Sequence, residues 1–366
     1  MKINFIDLQA QYQEYSNEID QEIKEVCSNA QFIGGPKLQS LEKNLALYTG
    51  SAHAIGCSSG TDALLLALMA LGVKAGDEVI TTPFTFIATA EVIAFLGAKS
   101  VFVDIDEQTY NIDPSKIEAL ITEKTKAIMP VSLYGQCADM EAINAIAQKH
   151  NIAVIEDACQ SFGAEYKGEK SCNLSTIGCT SFFPSKPLGA YGDGGALFTN
   201  DDALAEKIRM LLNHGQNERY KHKYIGINGR LDAMQAAILD VKLKHFDKEV
   251  DARHKIGQRY SDLLFTCNVT TPYVKADRSS VYAQYSIRVK NRSNLAAALG
   301  EKGIPTAVHY PMPLHLQEAF ADLGYKVGDF PISEKVSEEI MSLPMSPYLS
   351  QEQQDFIVDA IKEIHA

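Results

Sequence analysis

The sequence has little of what marks membrane or exported proteins. Among its 366 residues, no apolar run approaches the ~20 residues of a membrane-crossing helix. The longest such run, Ala63–Leu71, has the size of a core helix. The first residues carry no signal-peptide pattern, because Asp7 and Gln9 interrupt any apolar segment. We therefore expect a cytoplasmic protein that does not bind a membrane.

A metal-ligand pattern and an excess of positive charge are also lacking. Seven cysteines, at positions 27, 57, 137, 159, 172, 179 and 267, occur without a CxxC pair or the Cys/His spacing of zinc sites. They predict reduced thiols and no metal centre. The formal net charge of −12 argues against nonspecific binding to nucleic acid. An anionic substrate would therefore have to meet a local basic patch.

Residues 50–200 alternate between strand and helix patterns. The predicted strands are Ala54–Ser58, Glu78–Thr82, Ser100–Asp104, Ala127–Leu133, Ile152–Glu156, Thr180–Phe183 and Gly195–Thr199. The predicted helices between them are Thr61–Leu71, Thr85–Leu96, Pro114–Ile121 and Met140–His150. Several strands are apolar on successive residues, as expected when both faces of a parallel sheet are covered. The alternation predicts an α/β fold of three layers with a mostly parallel sheet.

The pattern changes after Asn200. The predicted helices there are Asp201–Leu212, Leu231–Leu264, Asn294–Lys302, Glu334–Met341 and Gln351–Ile364, and the predicted strands are Tyr282–Val289 and Thr306–Tyr310. The second of these helices is long enough to link two domains. We predict a large domain over residues 1–249, with the N-terminal segment included, and a smaller C-terminal α+β domain over residues 250–366.

Two segments contain residues suited to binding a ligand, one to its phosphate and the other to a protonated nitrogen. Ser58-Ser59-Gly60-Thr61 follows a strand and opens an apolar helix, whose N-terminal N–H groups favour an anion such as phosphate. An ordinary capped helix is the simpler explanation of that segment alone. Asp157 stands at the carboxyl end of a buried strand, where α/β sheets bind ligands. Its carboxylate suits a protonated pyridine nitrogen, although it equally suits a cap for the following helix.

The third segment is Phe182-Phe183-Pro184-Ser185-Lys186-Pro187-Leu188-Gly189. A lysine placed directly after an apolar strand, inside a turn rich in Pro and Gly, is held close to the sheet. Partial desolvation lowers the pKa of such a lysine and favours Schiff-base formation. Most lysines are simply surface residues, but the order of phosphate loop, strand-end Asp and strand-turn Lys favours a catalytic role.

This order of segments, together with further motifs along most of the chain, is typical of one protein family. The chain resembles the fold-type-I, pyridoxal-phosphate-dependent sugar aminotransferases of the DegT/DnrJ/EryC1/StrS group. The motifs that carry the resemblance are Phe32–Pro36, Gly60–Leu64, Thr85–Thr89, Glu156–Gln160, Ser181–Lys186, Asn228–Asp232 and His309–His315. The resemblance implies the aspartate-aminotransferase-like fold of pyridoxal-phosphate transferases, and a transaminase.

The resemblance also implies the cofactor, pyridoxal 5′-phosphate, with pyridoxamine 5′-phosphate as its amino-carrying form. Carried over position by position, it assigns Lys186 as the catalytic lysine that holds the cofactor and later moves protons. Asp157 pairs with the ring nitrogen and keeps it protonated. Gln160 hydrogen-bonds the phenolic oxygen of the ring, and Phe86 stacks on the ring face. A core position is the alternative for Phe86.

For the cofactor phosphate, the resemblance assigns Gly60, Thr61 and Ser181. Asn228 matches a residue that reaches the phosphate of the neighbouring subunit, so the resemblance implies a homodimer with shared active sites. A helix-capping Asn228 and a turn-forming Ser181 are the alternatives, each credible alone but less so as a set.

Three residues match positions that line the nucleotide-sugar pocket: Arg230, His309 and Tyr310. Arg230 suits a bidentate pair with a carboxylate or phosphate, or else a structural salt bridge at the start of a helix. The chain has Gly229 where the family pattern has serine, and His315 where asparagine can occur. Neither difference concerns the cofactor chemistry, but both leave the substrate of the pocket unassigned.

Within the family, the chain resembles the branch that transfers an amino group from L-glutamate to C3 of UDP-2-acetamido-2-deoxy-3-oxo-glucuronic acid, for O-antigen sugars of surface polysaccharide. The supporting stretches are Pro130–Asp139, Ser171–Thr176 and Ser280–Tyr285. The alternative is amination at C4 of a 4-keto-6-deoxy nucleotide sugar. Dehydratase relatives replace the lysine with histidine, whereas Lys186 is present. A cofactor-binding regulator or scaffold is not expected. Regulators of this fold carry an N-terminal DNA-binding module, and the segment before the Phe32 motif is too short for one.

Overall fold

The computed structural model describes residues 1–365 of the chain. The α-helices are α1 (Leu8–Asn29), α2 (Gly35–Thr49), α3 (Gly60–Leu71), α4 (Ala88–Phe95), α5 (Met140–His150), α6 (Asp202–Leu211), α7 (Ala233–Leu264), α8 (Arg292–Glu301), α9 (Pro331–Glu339) and α10 (Gln351–His365). The β-strands are β1 (His53–Cys57), β2 (Glu78–Thr81), β3 (Lys99–Phe102), β4 (Thr125–Ile128), β5 (Ala153–Asp157), β6 (Glu165–Tyr166), β7 (Glu169–Lys170), β8 (Ile177–Ser181), β9 (Gly195–Thr199), β10 (Gln216–Glu218), β11 (Lys221–His222), β12 (Tyr285–Arg288) and β13 (Ile340–Leu343).

A seven-stranded sheet in the order β1-β9-β8-β5-β4-β2-β3 forms the centre of the fold. Its neighbouring strands from β3 to β8 pair in parallel, whereas β9 pairs antiparallel with both β8 and β1. The predicted mostly parallel sheet is therefore confirmed. The parallel strands all end at one edge of the sheet, which is where ligands bind in this architecture.

Helices cover both faces of this sheet. Successive side chains of a strand point to opposite faces, and neighbouring residues of β9 do so here. Leu197 packs in the core that α3 and α6 share with the sheet, whereas Phe198 packs in the core that α2 and α7 share with it. The three-layer arrangement follows from these two cores.

Helix α3 begins at Gly60, one residue before the predicted start, for a local reason. Ser59 is the N-cap, and its Oγ accepts a 3.0 Å hydrogen bond from the Asp62 backbone N–H. The helix is capped by Gly72, whose φ of 77° lies in the left-handed region that favours glycine. Most of its apolar residues are buried, so packing fixes the helix against the sheet.

Helix α7 links two cores. Its first half packs with the sheet, while Ile256, Tyr260 and Leu264 in its second half pack with β12, β13 and α10. Ile3 also joins this second core. The predicted boundary between residues 249 and 250 lies inside α7, which continues through it as one helix of 32 residues. The division into two domains stays a prediction.

Several predicted elements differ from the structure. Thr306–Tyr310 is not a strand, because only Ala307 in this segment forms a bridge, to Ser342. The partner of β12 is β13, in a segment where the predicted helix Glu334–Met341 was wrong at its C-terminal end. All four residues of β13 are buried, and so short an apolar run does not by itself distinguish strand from helix.

Two further differences concern helices. Pro114–Ile121 forms two short 3₁₀ turns rather than one helix, and Ile117 is its one buried residue, so little packing stabilises a longer helix. Helices α1 and α2 are additional to the predicted elements. The remaining predicted helices and strands are present, with ends that differ by up to three residues except at one strand. β4 ends at Ile128 instead of Leu133.

Features of membrane-spanning and metal-binding proteins are absent from the part of the chain that the structure describes. Within residues 1–365, no helix is both long and apolar enough to cross a bilayer. The same residues contain no group of three or more His, Cys, Asp and Glu side chains placed to hold a metal ion. All seven cysteines are free thiols.

Candidate active site

The candidate site lies at the carboxyl edge of the sheet. Asp157 ends β5, Ser181 ends β8, and Lys186 follows β8 in the next turn. Gly60 opens α3 directly after β1. Parallel strands bring these residues to the same edge, as the sequence predicts.

Asp157 is buried, with 4% of its surface exposed. Thr89 Oγ1 donates a 2.8 Å hydrogen bond to its Oδ2, and the Cys159 backbone N–H donates a 3.2 Å bond to its Oδ1. No ion pair within residues 1–365 includes Asp157, so its charge has only neutral donors. A buried carboxylate of this kind favours a cationic ligand atom, such as a protonated ring nitrogen.

Lys186 lies in the turn after β8, where its backbone N–H donates to the Phe183 carbonyl at 2.8 Å. Its side chain is half-buried. Burial lowers the pKa of the Lys186 amine below its ordinary value, and nearby Cys159 and Asp157 oppose this change. The lowered pKa increases the neutral fraction of the amine, which is the form that attacks a carbonyl.

The N-terminus of α3 is packed too tightly for a side chain at Gly60. A Cβ atom there would lie 2.6 Å from Ser181 Cβ and 3.0 Å from Cys159 Sγ. The glycine therefore allows the first turn of α3, which includes Thr61, to approach β8. The three residues predicted to bind phosphate, Gly60, Thr61 and Ser181, lie around this helix N-terminus, which favours an anion. Ser59 also caps the helix, as the simpler explanation of the segment predicts, and phosphate binding stays a prediction.

Gln160 joins two distant parts of the chain. Its Oε1 accepts a 2.9 Å hydrogen bond from the Tyr134 backbone N–H, and its Nε2 donates to Tyr310 Oη at 3.1 Å. The Tyr134 hydroxyl donates to the His309 carbonyl. Burial raises the pKa of Tyr310, which keeps its phenol neutral. The predicted pair His309 and Tyr310 is thus tied to the strand ends.

Phe86 and His309 line the same region. Phe86 is 51% exposed, which rules out the alternative of a core phenylalanine, and its ring centroid lies 6.1 Å from that of Tyr310. His309 Nδ1 is hydrogen-bonded to Ser342 Oγ at 2.8 Å. Burial, with a smaller contribution from the Lys186 charge, lowers the pKa of His309. His309 is therefore neutral near pH 7.

Asn228 and Arg230 lie in the segment that pairs with the end of β1, where Arg230 forms a bridge with Cys57 and the Ser58 N–H donates to the Gly229 carbonyl at 3.0 Å. Asn228 is exposed and forms a backbone bridge with Asn213. Arg230 Nη1 donates a 2.6 Å hydrogen bond to Asn213 Oδ1, while its buried Nε has no partner within the described chain. No ion pair within residues 1–365 includes Arg230, so the alternative of a structural salt bridge is wrong. Arg230 lines a cavity of about 200 Å³ with Glu42 and other residues.

His315 is a core residue. It is 2% exposed, its Nε2 lies 3.0 Å from Glu334 Oε1, and its ring packs against Phe330. His214, in the segment that follows α6, is exposed. Neither residue joins the cluster around Lys186.

Two residues of the site were not predicted. Thr89 donates to Asp157, and it lies four residues after Thr85, whose hydroxyl is 3.0 Å away. Only in the predicted helix Thr85–Leu96 do these residues share a face, because α4 begins at Ala88. Tyr134 connects Gln160 to His309, and its φ of 57° is unusual for a tyrosine. No sequence signal reveals that conformation.

The chain that places the half-buried Lys186 beside the buried Asp157 matches a known protein family over nearly its whole length. The model of the DegT/DnrJ/EryC1/StrS aminotransferase family matches residues 13–362. The chain belongs to this family. The predicted family, and with it the aminotransferase class, is confirmed.

Curated relatives match the chain over nearly all of its length. The UDP-2-acetamido-2-deoxy-3-oxo-D-glucuronate aminotransferase of Pseudomonas aeruginosa is 55% identical, covering 95% of this chain and 96% of the relative. A pleiotropic regulatory protein of Geobacillus stearothermophilus is 51% identical, covering 100% and 99%. The UDP-N-acetyl-3-dehydro-alpha-D-glucosamine 3-aminotransferase of Acidithiobacillus ferrooxidans is 44% identical, covering 96% and 95%.

Solved structures share the fold. A DegT DnrJ EryC1 StrS aminotransferase from Brucella abortus superposes with a TM-score of 0.97 at 42% identity, covering 100% of both chains. A Bacillus subtilis protein, solved with bound cofactor pmp, superposes with a TM-score of 0.90 at 32% identity, covering 98% of this chain and 83% of that chain. The predicted three-layer α/β fold of this family is confirmed.

Proposed function

We propose that this protein transfers the amino group of L-glutamate to C3 of UDP-2-acetamido-2-deoxy-3-oxo-glucuronic acid, for surface polysaccharide such as O-antigen. The observation that carries the proposal is the 55% identity to an aminotransferase named for this sugar. A second relative, at 44% identity, is also named for amination at C3 of a UDP sugar. The free thiols fit a reducing cytoplasm, where we propose that the enzyme acts.

The residues of the candidate site fit pyridoxal 5′-phosphate. The N-terminus of α3 beside Ser181 offers N–H and hydroxyl donors to the phosphate, and the cradle at Gly60 has no room for a side chain. Asp157 would offer its buried carboxylate to a protonated ring nitrogen. Gln160 Nε2 offers a donor to the phenolic oxygen. Phe86, half-exposed, offers its ring face for stacking.

Lys186 and Asp157 perform the proton chemistry. When bound, the cofactor supplies an aldehyde that accepts the amino group and a ring that stores an electron pair. Lys186 Nζ would hold the cofactor between turnovers and, once released, would take the proton from the α-carbon of L-glutamate and pass it to the cofactor. In the second half-reaction, the same amine would move a proton from the cofactor to C3 of the sugar. Asp157 keeps the ring nitrogen protonated throughout.

The substrate residues act on the sugar. His309, neutral near pH 7, and the neutral phenol of Tyr310 offer hydrogen bonds without charge. Arg230 has a buried Nε without a partner, so its guanidinium retains hydrogen-bonding capacity for a carboxylate. We propose that Arg230 pairs with the C6 carboxylate, which a 4-keto-6-deoxy sugar lacks.

We also propose a homodimer with shared active sites. Asn228 is exposed, and within residues 1–365 its side chain forms no hydrogen bond, which suits a role at the partner's phosphate. The test is complementation between Lys186→Ala and Asn228→Ala chains, each inactive alone. If Asn228 acts across the interface, mixing the two restores about a quarter of the sites in random exchange. If it acts within its own chain, no activity returns.

The substrate is tested by competition between sugars. The purified enzyme, charged with L-glutamate, is given the UDP 3-oxo sugar acid, the 3-oxo sugar with a C6 hydroxymethyl group, or a 4-keto-6-deoxy sugar. We expect the sugar acid to have the highest kcat/KM. Preference for the 4-keto-6-deoxy sugar would retain the aminotransferase and overturn the proposed substrate.

A further inference from the structure

Backbone hydrogen bonds join the two ends of the loop that carries Lys186. This segment, residues 182–194, runs from β8 to β9 and is called the lysine loop below. Phe182 N–H donates to the Gly194 carbonyl, and Ala190 N–H donates to the Phe182 carbonyl, both at 2.7 Å. These bonds fix the ends of the loop, but they leave its position relative to the helices open.

Gln235 of α7 is hydrogen-bonded to the lysine loop at Tyr191. Its Oε1 accepts a 2.8 Å hydrogen bond from the Tyr191 backbone N–H, and its Nε2 donates to the Tyr191 carbonyl at 3.3 Å. A Cβ atom at Gly192 would lie 2.9 Å from Gln235 Nε2, so the loop backbone touches this side chain. One amide thus satisfies both backbone groups of Tyr191.

Lys242 makes a second contact from the same face of α7. It follows Gln235 by seven residues, which is two helical turns. Its Nζ donates a 2.6 Å hydrogen bond to the Gly189 carbonyl and lies 4.2 Å from the centroid of the Tyr191 ring. The side chain is 3% exposed.

A buried ammonium is costly, and no ion pair within residues 1–365 includes Lys242. Burial lowers the pKa of Lys242 to about 8, although Glu249 opposes this change. The Gly189 carbonyl and the Tyr191 ring are the groups that offset the cost. Lys242 therefore stabilises the loop only while the loop keeps this position.

The contacts reach Lys186 through a compact turn. A Cβ atom at Gly189 would lie 2.4 Å from the Pro184 carbonyl oxygen, so residues 184 and 189 touch across Lys186. A shift of Gly189 must therefore displace the turn that presents the lysine. We propose that Gln235 and Lys242 are positioning residues that hold the Lys186 amine in place through the lysine loop. The proposal rests on the function proposed for Lys186.

The first test is hydrogen exchange of the holoenzyme, followed by mass spectrometry of peptides from residues 182–194. In Lys242→Met, we expect the Lys186 and Ala190 amides to exchange about ten-fold faster, with unchanged exchange in α3. Lys242→Arg keeps a charged donor and should restore much of the protection. The matched control is Lys244→Met, which removes an exposed lysine of the same helix and should exchange as wild type.

The second test is the rate at which cofactor-free protein captures pyridoxal 5′-phosphate on Lys186, followed by absorbance. Lys242→Met and Gln235→Leu should capture about ten-fold more slowly, with kcat lowered and the sugar KM unchanged. Gln235→Leu serves if Lys242→Met does not fold. Wild-type exchange or wild-type capture in the folded variants would overturn the proposal. Because exchange does not depend on chemistry, loss of covalent capture in the wild type would instead overturn the function of Lys186.

Discussion

Gln160 Nε2 donates a 3.1 Å hydrogen bond to Tyr310 Oη, across 150 positions of the chain. The family resemblance predicts that Gln160 binds the cofactor and that Tyr310 binds the sugar. Their contact makes the two sets parts of one site. It also links the C-terminal segment to the sheet edge without a charged pair.

Replacing Tyr310 with phenylalanine tests this link. The change leaves the Gln160 amide with a buried donor lacking its partner, which costs about 1–3 kcal/mol. We expect Tyr310→Phe to lower the free energy of unfolding by that amount and to weaken sugar turnover. Tyr12→Phe, which removes a surface hydrogen bond to Asp20, should change unfolding by about 0.5 kcal/mol or less. Equal effects in urea unfolding would contradict the structural link.

Thr89→Val tests the residue that holds Asp157. Valine keeps the shape but removes the donor to Asp157 Oδ2, a hydrogen bond to a charged group that contributes about 1.5–3 kcal/mol. We expect kcat to fall at least about ten-fold and the cofactor to bind more weakly in equilibrium dialysis. Thr89→Ser keeps the hydroxyl and should recover most of both. Wild-type behaviour of the valine variant would remove Thr89 from the site.

The pH dependence of Lys186 can be measured in cofactor-free protein. Its pKa is lowered by burial, so its neutral fraction should rise at a lower pH than that of an ordinary lysine amine. Competitive labelling with acetic anhydride, read by peptide mass spectrometry, gives the titration curve of Lys186. The Asp157 charge opposes the lowering, so Asp157→Asn should move the Lys186 curve to still lower pH. A Lys186 curve at the ordinary pH of a lysine amine would contradict the lowered pKa.

Gly60→Ala tests the packing at the predicted phosphate site. The new methyl group meets Ser181 Cβ at 2.6 Å, so α3 must move away from β8. We expect cofactor affinity to fall about ten-fold or more, since overpacking costs about 1–3 kcal/mol. Gly300→Ala is the control, because nothing lies within 4 Å of a Cβ there and alanine favours the interior of α8. It should leave cofactor binding unchanged.

Arg230→Gln tests how the sugar acid is selected. Loss of the bidentate cation should reduce the preference for the sugar acid over its C6 hydroxymethyl counterpart by about 10–100-fold. Arg209→Gln is the matched control, because Arg209 lines the same cavity but pairs with Glu42 at 2.9 Å. We expect it to keep the preference. A preference that survives Arg230→Gln would assign selection to another residue.

Local sequence signals predicted the central sheet and its site well. Buried strands and glycine-containing turns are short-range features, so the places of Asp157, Lys186 and Gly60 follow from their neighbours. The segment that carries His309 did not follow: Thr306–Tyr310 is irregular, and β12 instead pairs with β13, more than 50 residues later. Pairing of this kind depends on tertiary contacts that periodicity does not contain.

The contacts that tune the site are also beyond local patterns. Thr89 and Asp157 are 68 positions apart, and Tyr134 reaches the His309 carbonyl across 175 positions. The role proposed for Asn228 depends on a second copy of the chain. Local patterns therefore indicate where Asp157, Lys186 and Gly60 lie better than they indicate which residues contact them.

The most direct measurement follows the nitrogen atom itself. The enzyme is incubated with ¹⁵N-labelled L-glutamate and the UDP 3-oxo sugar acid, and the product is examined by NMR, with Lys186→Ala as the control. We predict that the label appears on C3 of the sugar with the wild-type protein and not with Lys186→Ala. Label transfer by Lys186→Ala at the wild-type rate, or no label on the sugar with the wild-type protein, would contradict the proposed function.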